Sequence, residues 1–448
     1  QRADHTLKSV VLARHVDIIK LNKMVIEKNI LDLLNPWWKE GNVSRALAFE
    51  YKRKAFEEIL SLYSKRQITL ITGLRRVGKS TLMFQVVEHL INAKIKPNHI
   101  LYFSFDEKVE NLTEILGEYG ELTIVDWKKE KCFVFLDEIQ KLPDWSSKLK
   151  IVYDNFPNLK LFVSGSASFK LEHEAKSDLS GRHFAVNVLP LSFREYLELK
   201  KSPIDVKKLR LWGSEIKKEF DSYLLRPFPE IVLYSELNLV KSYIKDKVIE
   251  KIVKVDLPDK FRDLNAELLV RLIDIFYDYP GTYLNLDELS NDLKIGKTTL
   301  IKHIYYLEFA RLLRRVRNFR PHSRTTSRKL QRIYPYHWSL QFGWTGKINY
   351  ESIAASILDT PYYWNKNKKE VDFIAIKDKT LYPIEIKEST NVSSSDFDHL
   401  VFFMKQFNAN KSFLIYNGDE GETNIDGKTI SKLPFWLLAI RGGLFEKL

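Results

Sequence analysis

The sequence predicts an α/β fold: a parallel sheet bearing a phosphate-binding loop, then a helical lid, a winged helix and a small α/β domain. Three observations predict it. Residues 73 to 80 read Gly-Leu-Arg-Arg-Val-Gly-Lys-Ser, directly after the apolar run Ile68 to Ile71 and before the helical-looking Thr81 to Val87. Short apolar runs alternate with helical patterns between residues 46 and 200, as in a parallel sheet covered by helices. Near the C-terminus, Glu370 to Ile376 and Leu381 to Lys387 read as two strands joined by a four-residue turn, Lys377 to Thr380.

A G-x-x-x-x-G-K-S string between a strand and a helix is a nucleotide site with a mechanism. The glycines let backbone N–H groups turn inward around phosphate oxygens, the lysine reaches the β and γ phosphates, and the serine hydroxyl holds Mg²⁺. Gly73, Arg76, Gly78, Lys79, Ser80 and Thr81 are therefore the expected nucleotide-binding residues. The chain carries its own control: Gly296-Lys297-Thr298 also reads GKT, but residue 291 is Asn where such a loop needs glycine.

The other half of the site is expected in Cys132-Phe133-Val134-Phe135-Leu136-Asp137-Glu138, an apolar strand ending in two carboxylates. Asp137 would complete the Mg²⁺ shell and Glu138 would polarise the attacking water, since phosphoryl transfer needs positioning and charge neutralisation. Taken alone, an Asp-Glu pair after a strand is equally the start of a helix with a favourable first-turn charge. Leu161 to Ser166 is another buried strand ending in hydroxyls, so Ser164 or Ser166 is either beside the attacking water or part of a polar turn. Arg182, after Ser180-Gly181, is either an arginine finger acting on a neighbouring subunit or half of a surface ion pair.

Composition bounds the rest. The 448 residues are 44% hydrophobic and 13% aromatic, enough for about three domains with real cores. No run approaches the roughly 20 apolar residues that span a bilayer, and Gln1 to His5 has no secretory pattern, so a soluble, cytoplasmic protein without a membrane partner is expected. The single cysteine, Cys132, sits in an apolar strand and reads as a buried small hydrophobe; an internal disulfide and cysteine-rich zinc sites are excluded. A net charge of +13 favours an anionic partner. Between Lys302 and Arg332 there are ten Lys or Arg against one acid, Glu308, which makes this the most basic stretch.

The expected order is a helical docking segment (1–45), the phosphate-loop core (46–200), a charged helical lid (201–262), a winged helix with a basic wing (263–335) and the last α/β domain (336–448). In the winged helix, Leu286, Leu289 and Leu293 give one short helix and Leu300, Ile304 and Leu307 the inward face of a second, from Lys297 to Phe309. DNA is the expected partner. Lys297, Thr298 and Lys302 would face a major groove, and Arg314, Arg315, Arg317, Arg320, Arg324 and Arg328 would form a phosphate-binding wing. Protein contact is the alternative use of such a face.

On the C-terminal hairpin, strand alternation lets Asp372, Glu385 and Lys387 converge. The two carboxylates would bind Mg²⁺, Lys387 would orient or activate water, and Glu351 on a preceding helix would add a fourth ligand, a set suited to a scissile phosphodiester. Chance placement of these residue types on a hairpin is the competing reading.

Taken together, the blocks Asn35-Pro36-Trp37-Trp38, Gly73 to Ser80, Leu136 to Trp145, Ser164 to Ser166, Gly181-Arg182, Leu189 to Tyr196, Tyr363-Trp364, Glu370 to Asp372 and Glu385 to Lys387 resemble the archaeal and bacterial AAA+ ATPases that carry a DUF4143-type or PD-(D/E)xK nuclease-like C-terminal domain. The resemblance implies an ATP- and Mg²⁺-dependent ATPase, able to oligomerise, with Lys79, Ser80, Asp137 and Glu138 at the nucleotide, Ser164 as sensor, Arg182 as finger and a nuclease-type centre at Asp372, Glu385 and Lys387. It equally allows an ATP-gated switch whose nuclease-like domain is an inactive interaction module. One departure is Leu224 to Glu230, which stands where the family often has paired glycines before Phe-Pro-Glu.

Overall fold

The computed structural model describes residues 30–107, 109–165, 178–321 and 331–445. They form two compact units: one runs up to Gly73 and continues over Gly78–Val188, the other comprises Leu74–Val77 and Leu189–Leu448. Of the expected N-terminal docking segment, residues 1–29 lie outside the described residues.

The first unit is built on β1 (Ile68–Gly73), β2 (Ile100–Ser104), β3 (Cys132–Asp137), β4 (Leu159–Gly165) and β5 (His183–Val188), in the order β2-β3-β4-β1-β5. All four pairings are parallel. Every residue of β1, β3 and β4 is buried, which explains why their sequences are almost uninterrupted apolar runs: helices cover both faces. Its longer helices are α1 (Lys54–Ser61), α2 (Lys79–Asn92), α3 (Leu112–Thr123) and α4 (Trp145–Asn155). In α2, Leu82, Met83, Val86, Val87 and Leu90 fall on one face and are buried. Asn111 starts α3 by accepting from the Thr113 N–H. Cys132 is fully buried, the small hydrophobe its strand implied. In such a sheet the ligand region lies beyond the carboxyl ends of the strands, here the ends of β1, β3 and β4.

The second unit opens with α5 (Phe193–Leu199), whose N-terminus is a capping box between Ser192 and Glu195. Phe193 and Tyr196 pack with Phe220 and Tyr223 of α6 (Gly213–Leu225), and Tyr223 meets Trp338 edge-on at 5.5 Å. The stretch Leu224 to Glu230 packs into the same cluster through Leu224. Leu224 and Phe228 are buried, the Leu224 carbonyl accepts from Trp338 Nε1 at 2.9 Å, and the Pro227 carbonyl accepts from the Leu191 N–H at 2.7 Å. The stretch expected as a helical lid continues in α7 (Leu237–Ser242) and two π-helical segments, Tyr243–Ile249 and Ile252–Asp256.

Next come α8 (Ala266–Asp278), β6 (Thr282–Tyr283), α9 (Leu286–Leu293), α10 (Lys297–Phe309), β7 (Leu313–Asn318), β8 (Gln331–Pro335), α11 (Trp338–Thr345), α12 (Tyr350–Leu358), β9 (Tyr362–Lys366) and β10 (Lys369–Val371). Their strands form one sheet in the order β10-β9-β7-β8-β6. The expected domain boundary at 335/336 falls inside it, because β7 pairs in parallel with β9 through Arg317 opposite Tyr362. The element pattern up to β8 was sufficient to delimit a helical module but carried no sign that later strands would complete its sheet.

At Asp372 the chain passes into a third sheet: β11 (Phe373–Lys377), β12 (Thr380–Ile386), then α13 (Asp398–Gln406), β13 (Lys411–Tyr416), β14 (Gly421–Ile425), β15 (Lys428–Pro434) and α14 (Phe435–Arg441). The order is β11-β12-β13-β15-β14. The expected hairpin is β11 with β12, antiparallel, but its turn is two residues rather than four: Lys377 pairs with Thr380, and Asp378 and Lys379 take φ +50° and +66°, the backbone twist a tight hairpin needs.

Candidate functional site

In the first unit the carboxyl ends of β1, β3 and β4 gather the residues expected to handle phosphate. β1 ends in Gly73 and α2 begins at Lys79 after Gly78, whose φ of +93° is left-handed and open only to glycine without strain. Lys79 is 6% exposed and its Nζ donates to the Gly73 carbonyl at 3.2 Å, so the ammonium lies over its own loop. Thr81 follows in the first turn of α2.

Asp137, at the end of β3 and 3% exposed, is the hub. Its Oδ2 accepts from Ser80 Oγ at 2.5 Å and from the Tyr102 hydroxyl at 2.9 Å. Its Oδ1 accepts from Ser164 Oγ and, at 3.0 Å, from the Glu138 N–H. Ser80, Asp137 and Ser164 therefore meet, from three different elements. A serine hydroxyl against a carboxylate is an all-oxygen donor pair of the kind Mg²⁺ prefers. Glu138 adopts φ +51°, a strained conformation for a residue with a side chain, and Gln140 Nε2 donates to its carboxylate.

Arg182 is engaged by a carboxylate of its own chain. Its Nε and Nη2 fork onto Asp154 at 2.8 and 3.2 Å, an ion pair within the first unit. Ser166 lies outside the described residues. Leu74–Val77 of the loop are grouped with the second unit, where Arg75 forks onto Asp256 with two contacts of 2.6 Å. Arg76, expected at the nucleotide, has Nη1 3.3 Å from Glu230, which also accepts from the Tyr243 hydroxyl at 2.7 Å.

The second unit brings Asp372, Glu385 and Lys387 together. Asp372 Oδ2 accepts from the Ile386 N–H at 2.9 Å, tying the residue before β11 to the end of β12. Lys387 Nζ lies 3.2 Å from Glu385 Oε1 and 3.6 Å from Asp396. Glu385 is 7% exposed and its Oε2 has no hydrogen-bond partner, an orphaned buried carboxylate oxygen. Burial pushes the Glu385 carboxyl up to about 7 even though Lys387 pulls it down. Burial, then the Glu385 and Glu351 charges, push Asp372 well above the carboxylate range.

Glu351 is not the expected fourth ligand. Its Oε2 accepts from the Tyr334 hydroxyl at 2.8 Å and stands 3.9 Å from Arg332 Nη1. Arg332, 10% exposed on its side chain, also contacts Glu370 and reaches within 3.9 Å of Asp372, while Tyr283 and Tyr363 lie 5.3 and 5.0 Å from its guanidinium. Among the described residues no three His, Cys, Asp or Glu side chains gather as a metal-binding group. The centre is thus two carboxylates and a lysine, with an arginine alongside.

The expected DNA-contacting residues divide. Lys297 pairs with Asp287, Lys302 with Asp263, and Thr298 is exposed on the same face of α10. Arg314 and Arg315 do not form a free wing. Arg314 donates to the Tyr336 and Ala355 carbonyls and to Asp359, and Arg315 forks onto Glu308 with a further bond to Gln331. The reason is position: β7 is flanked by β8 and β9, so these two arginines are half-buried and need internal acceptors. Arg317 is exposed and Arg320 half-buried, whereas Arg324 and Arg328 lie outside the described residues.

Sequence reasoning missed Tyr102 and Arg332. A lone tyrosine in Ile100-Leu-Tyr-Phe-Ser, two residues before the strand end, was the available signal for the first. For the second it was an arginine beside Ile333-Tyr334 in an apolar strand, which the basic count absorbed.

Residues 65–197 match a family described as an AAA domain. Residues 217–340 and 350–436 match two families described as domains of unknown function, DUF8612 and DUF4143. An uncharacterized protein of Methanocaldococcus jannaschii is 29% identical over 274 residues, 56% of this chain and 56% of its own length. A second from the same organism is 25% identical over 440 residues, 92% of this chain and 95% of its own. An uncharacterized protein of Haemophilus influenzae is 26% identical over 392 residues, covering 83% and 94%. Among solved structures, a Walker-type ATPase of Pyrococcus abyssi is similar over 65% of this chain and 95% of that one, with a TM-score of 0.42 at 17% identity. No helix among the described residues is long and apolar enough to cross a membrane. The matched domain and the phosphate loop within it make residues 65–197 an AAA-type P-loop ATPase domain.

Proposed function

We propose that this chain hydrolyses ATP in a Mg²⁺-dependent reaction at the ends of β1, β3 and β4. The observation that carries the reading is the meeting of Ser80, Asp137 and Ser164 beside Lys79. Lys79 leaves the Gly73 carbonyl for the phosphates, which offer a charged acceptor in place of a neutral one. Ser80 and Asp137 would hold Mg²⁺, which supplies neutralisation of phosphate charge when bound. Glu138, at the strained strand end, takes the proton of the attacking water, and Ser164 orients it. Turnover measured on the wild type and on Lys79→Ala tests this. Abolition in the variant is expected, and a rate that Lys79→Ala leaves unchanged removes the assignment.

A second reading concerns the Asp372 centre, and the orphaned Glu385 Oε2 favours it. A buried carboxylate oxygen without a partner beside a second buried carboxylate fits a divalent cation. Asp372 and Glu385 would hold Mg²⁺, which when bound supplies Lewis-acid polarisation of a phosphodiester; Lys387 would orient water. Loss of Mg²⁺-dependent DNA cleavage in Asp372→Ala is the outcome expected, and a wild type that leaves linear, circular and branched DNA intact rejects it. In that event the unit acts as the interaction module of an ATP-gated switch, with α10 as its contact face. What supports DNA there is the helix–strand–helix–helix–strand–strand order of α8 to β8 with β8 between β6 and β7, the order of a winged helix.

A further inference from the structure

The block Asn35-Pro36-Trp37-Trp38 takes no part in the chemistry above, yet it is fastened to the strand that carries Tyr102. β2 is the edge strand of its sheet, with β3 on one side only. An open edge leaves backbone donors and acceptors without partners. On that open side the Asn35 side chain behaves as a strand peptide: its Oδ1 accepts from the Tyr102 N–H at 2.6 Å and its Nδ2 donates to the Tyr102 carbonyl at 2.9 Å. The same Nδ2 donates to the Leu31 carbonyl at 2.8 Å, so the amide is fixed from behind. Two residues along β2, the Ile100 carbonyl accepts from both indoles, Trp37 Nε1 at 3.1 Å and Trp38 Nε1 at 2.8 Å. Asn35 and Trp37 are 1% and 0% exposed, so these contacts form out of water, where an unmade hydrogen bond costs most.

The far side of Tyr102 is equally constrained. Its ring lies 4.5 Å from that of Phe84, and Phe84 meets Trp37 edge-on at 6.3 Å. Phe84 belongs to α2, one turn after Ser80. Held through its backbone on one side and its ring on the other, Tyr102 donates its hydroxyl to Asp137 Oδ2 at 2.9 Å.

We propose that Asn35, Trp37 and Trp38 clamp Tyr102, and that Tyr102 is a positioning residue that holds the Asp137 carboxylate in the orientation a magnesium ion requires. The inference rests on the ATPase reading and deepens it. Asp137 Oδ2 has two hydroxyl donors, and one of them, Ser80, would have to turn its lone pairs to the cation. Tyr102 then remains as the donor on that oxygen, so the carboxylate need not reorient when the ion arrives. An N-terminal block that merely covered a sheet edge would have no reason to bear on the residue that reaches Asp137.

The test uses the full chain and reads ATP hydrolysis against Mg²⁺ concentration, with ATP affinity in EDTA measured separately. Tyr102→Phe keeps the ring and removes only the hydroxyl. Its half-saturating Mg²⁺ should rise about ten-fold, the size expected for losing a hydrogen bond to a charged group, with affinity in EDTA unchanged. Asn35→Ala should move the same parameter in the same direction, and the double variant should go no further than Tyr102→Phe alone. If Asn35→Ala fails to fold, Trp38→Phe, which loses only the indole N–H toward Ile100, takes its place. A Mg²⁺ dependence that Tyr102→Phe leaves at the wild-type value, or additive effects in the double variant, would overturn the clamp while leaving the ATPase reading standing. A wild type without Lys79-dependent turnover would overturn both.

Discussion

Arg332 Nη1 lies 3.9 Å from Asp372 Oδ1 and at the same 3.9 Å from Glu351 Oε2, so one guanidinium is shared between a carboxylate of the proposed metal centre and the Glu351 carboxylate outside it. The Glu370 carboxylate adds a third contact and the Tyr283 and Tyr363 rings enclose the group. A like charge this close opposes a divalent cation, and the opposition is strong where both groups are buried. Arg332→Gln should therefore tighten Mn²⁺ binding about ten-fold in a nucleotide-free titration followed by electron paramagnetic resonance. Adding Asp372→Asn should abolish the gain. Unaltered Mn²⁺ affinity in a folded Arg332→Gln would show that the arginine does not compete.

Glu138 is the base in the proposed hydrolysis, and it sits in a left-handed backbone conformation with Gln140 on its carboxylate. Glu138→Gln should bind ATP as the wild type does but turn it over at least about a hundred-fold more slowly, the usual contribution of a general base. Quench of a single-turnover mixture should recover intact ATP. Rapid appearance of ADP would remove Glu138 from the mechanism.

The two centres were legible to different depths, and the reason is range. Asp137 and Ser164 lie at the carboxyl ends of two apolar strands, β4 beside the loop strand and β3 one strand further, so local pattern and strand ends suffice to bring them near Ser80. Asp372 and Glu385 lie on a hairpin whose register follows from local pairing. For Glu351, Arg314 and Arg315 the surroundings are set by partners at a distance along the chain, Arg332 and Tyr334 for the first and Asp359, Ala355 and Gln331 for the arginines. The boundary at 335/336 failed for the same cause, since the β7–β9 pairing joins residues 45 apart. Charge counting cannot separate an arginine that meets solvent from one that meets a buried acceptor.

The same distinction makes a prediction for DNA. Lys297 and Lys302 pair with acids at exposed positions, where an ion pair contributes little and is readily exchanged for a phosphate. Replacing both by Ala should weaken DNA binding uniformly across sequences and reduce its logarithmic salt slope by about 2, roughly 1 for each lost contact. Arg315→Ala should instead leave the slope alone and lower unfolding stability by about 1–3 kcal/mol, because Glu308 and Gln331 lose a half-buried partner. Fluorescence anisotropy across a salt series, paired with denaturant unfolding, measures both. Salt-independent binding by the wild type would assign α10 to protein contact.

Lys160 carries a pH signature for the first unit. It stands on β4 at 4% exposure, its Nζ donating to the Gln67 carbonyl at 2.5 Å and to Thr69 Oγ1 at 2.9 Å. These acceptors are neutral, and burial lowers its pKa to about 8 from 10.5. In the window between those values the unfolded chain holds the proton and the folded chain does not, so stability rises with pH there. The group's contribution is complete above the unfolded value and is lost as pH falls through the folded one. Lys160→Met should therefore flatten the slope between pH 8 and 10.5 and raise stability near neutrality by up to about 3 kcal/mol, the equivalent of the shift. Losing the two hydrogen bonds works against that gain by about 1 kcal/mol each, so the slope is the decisive readout. A wild type whose denaturant midpoint is flat across this window would mean that Lys160 keeps its proton in the folded sheet, with Gln67 and Thr69 sufficient to solvate it.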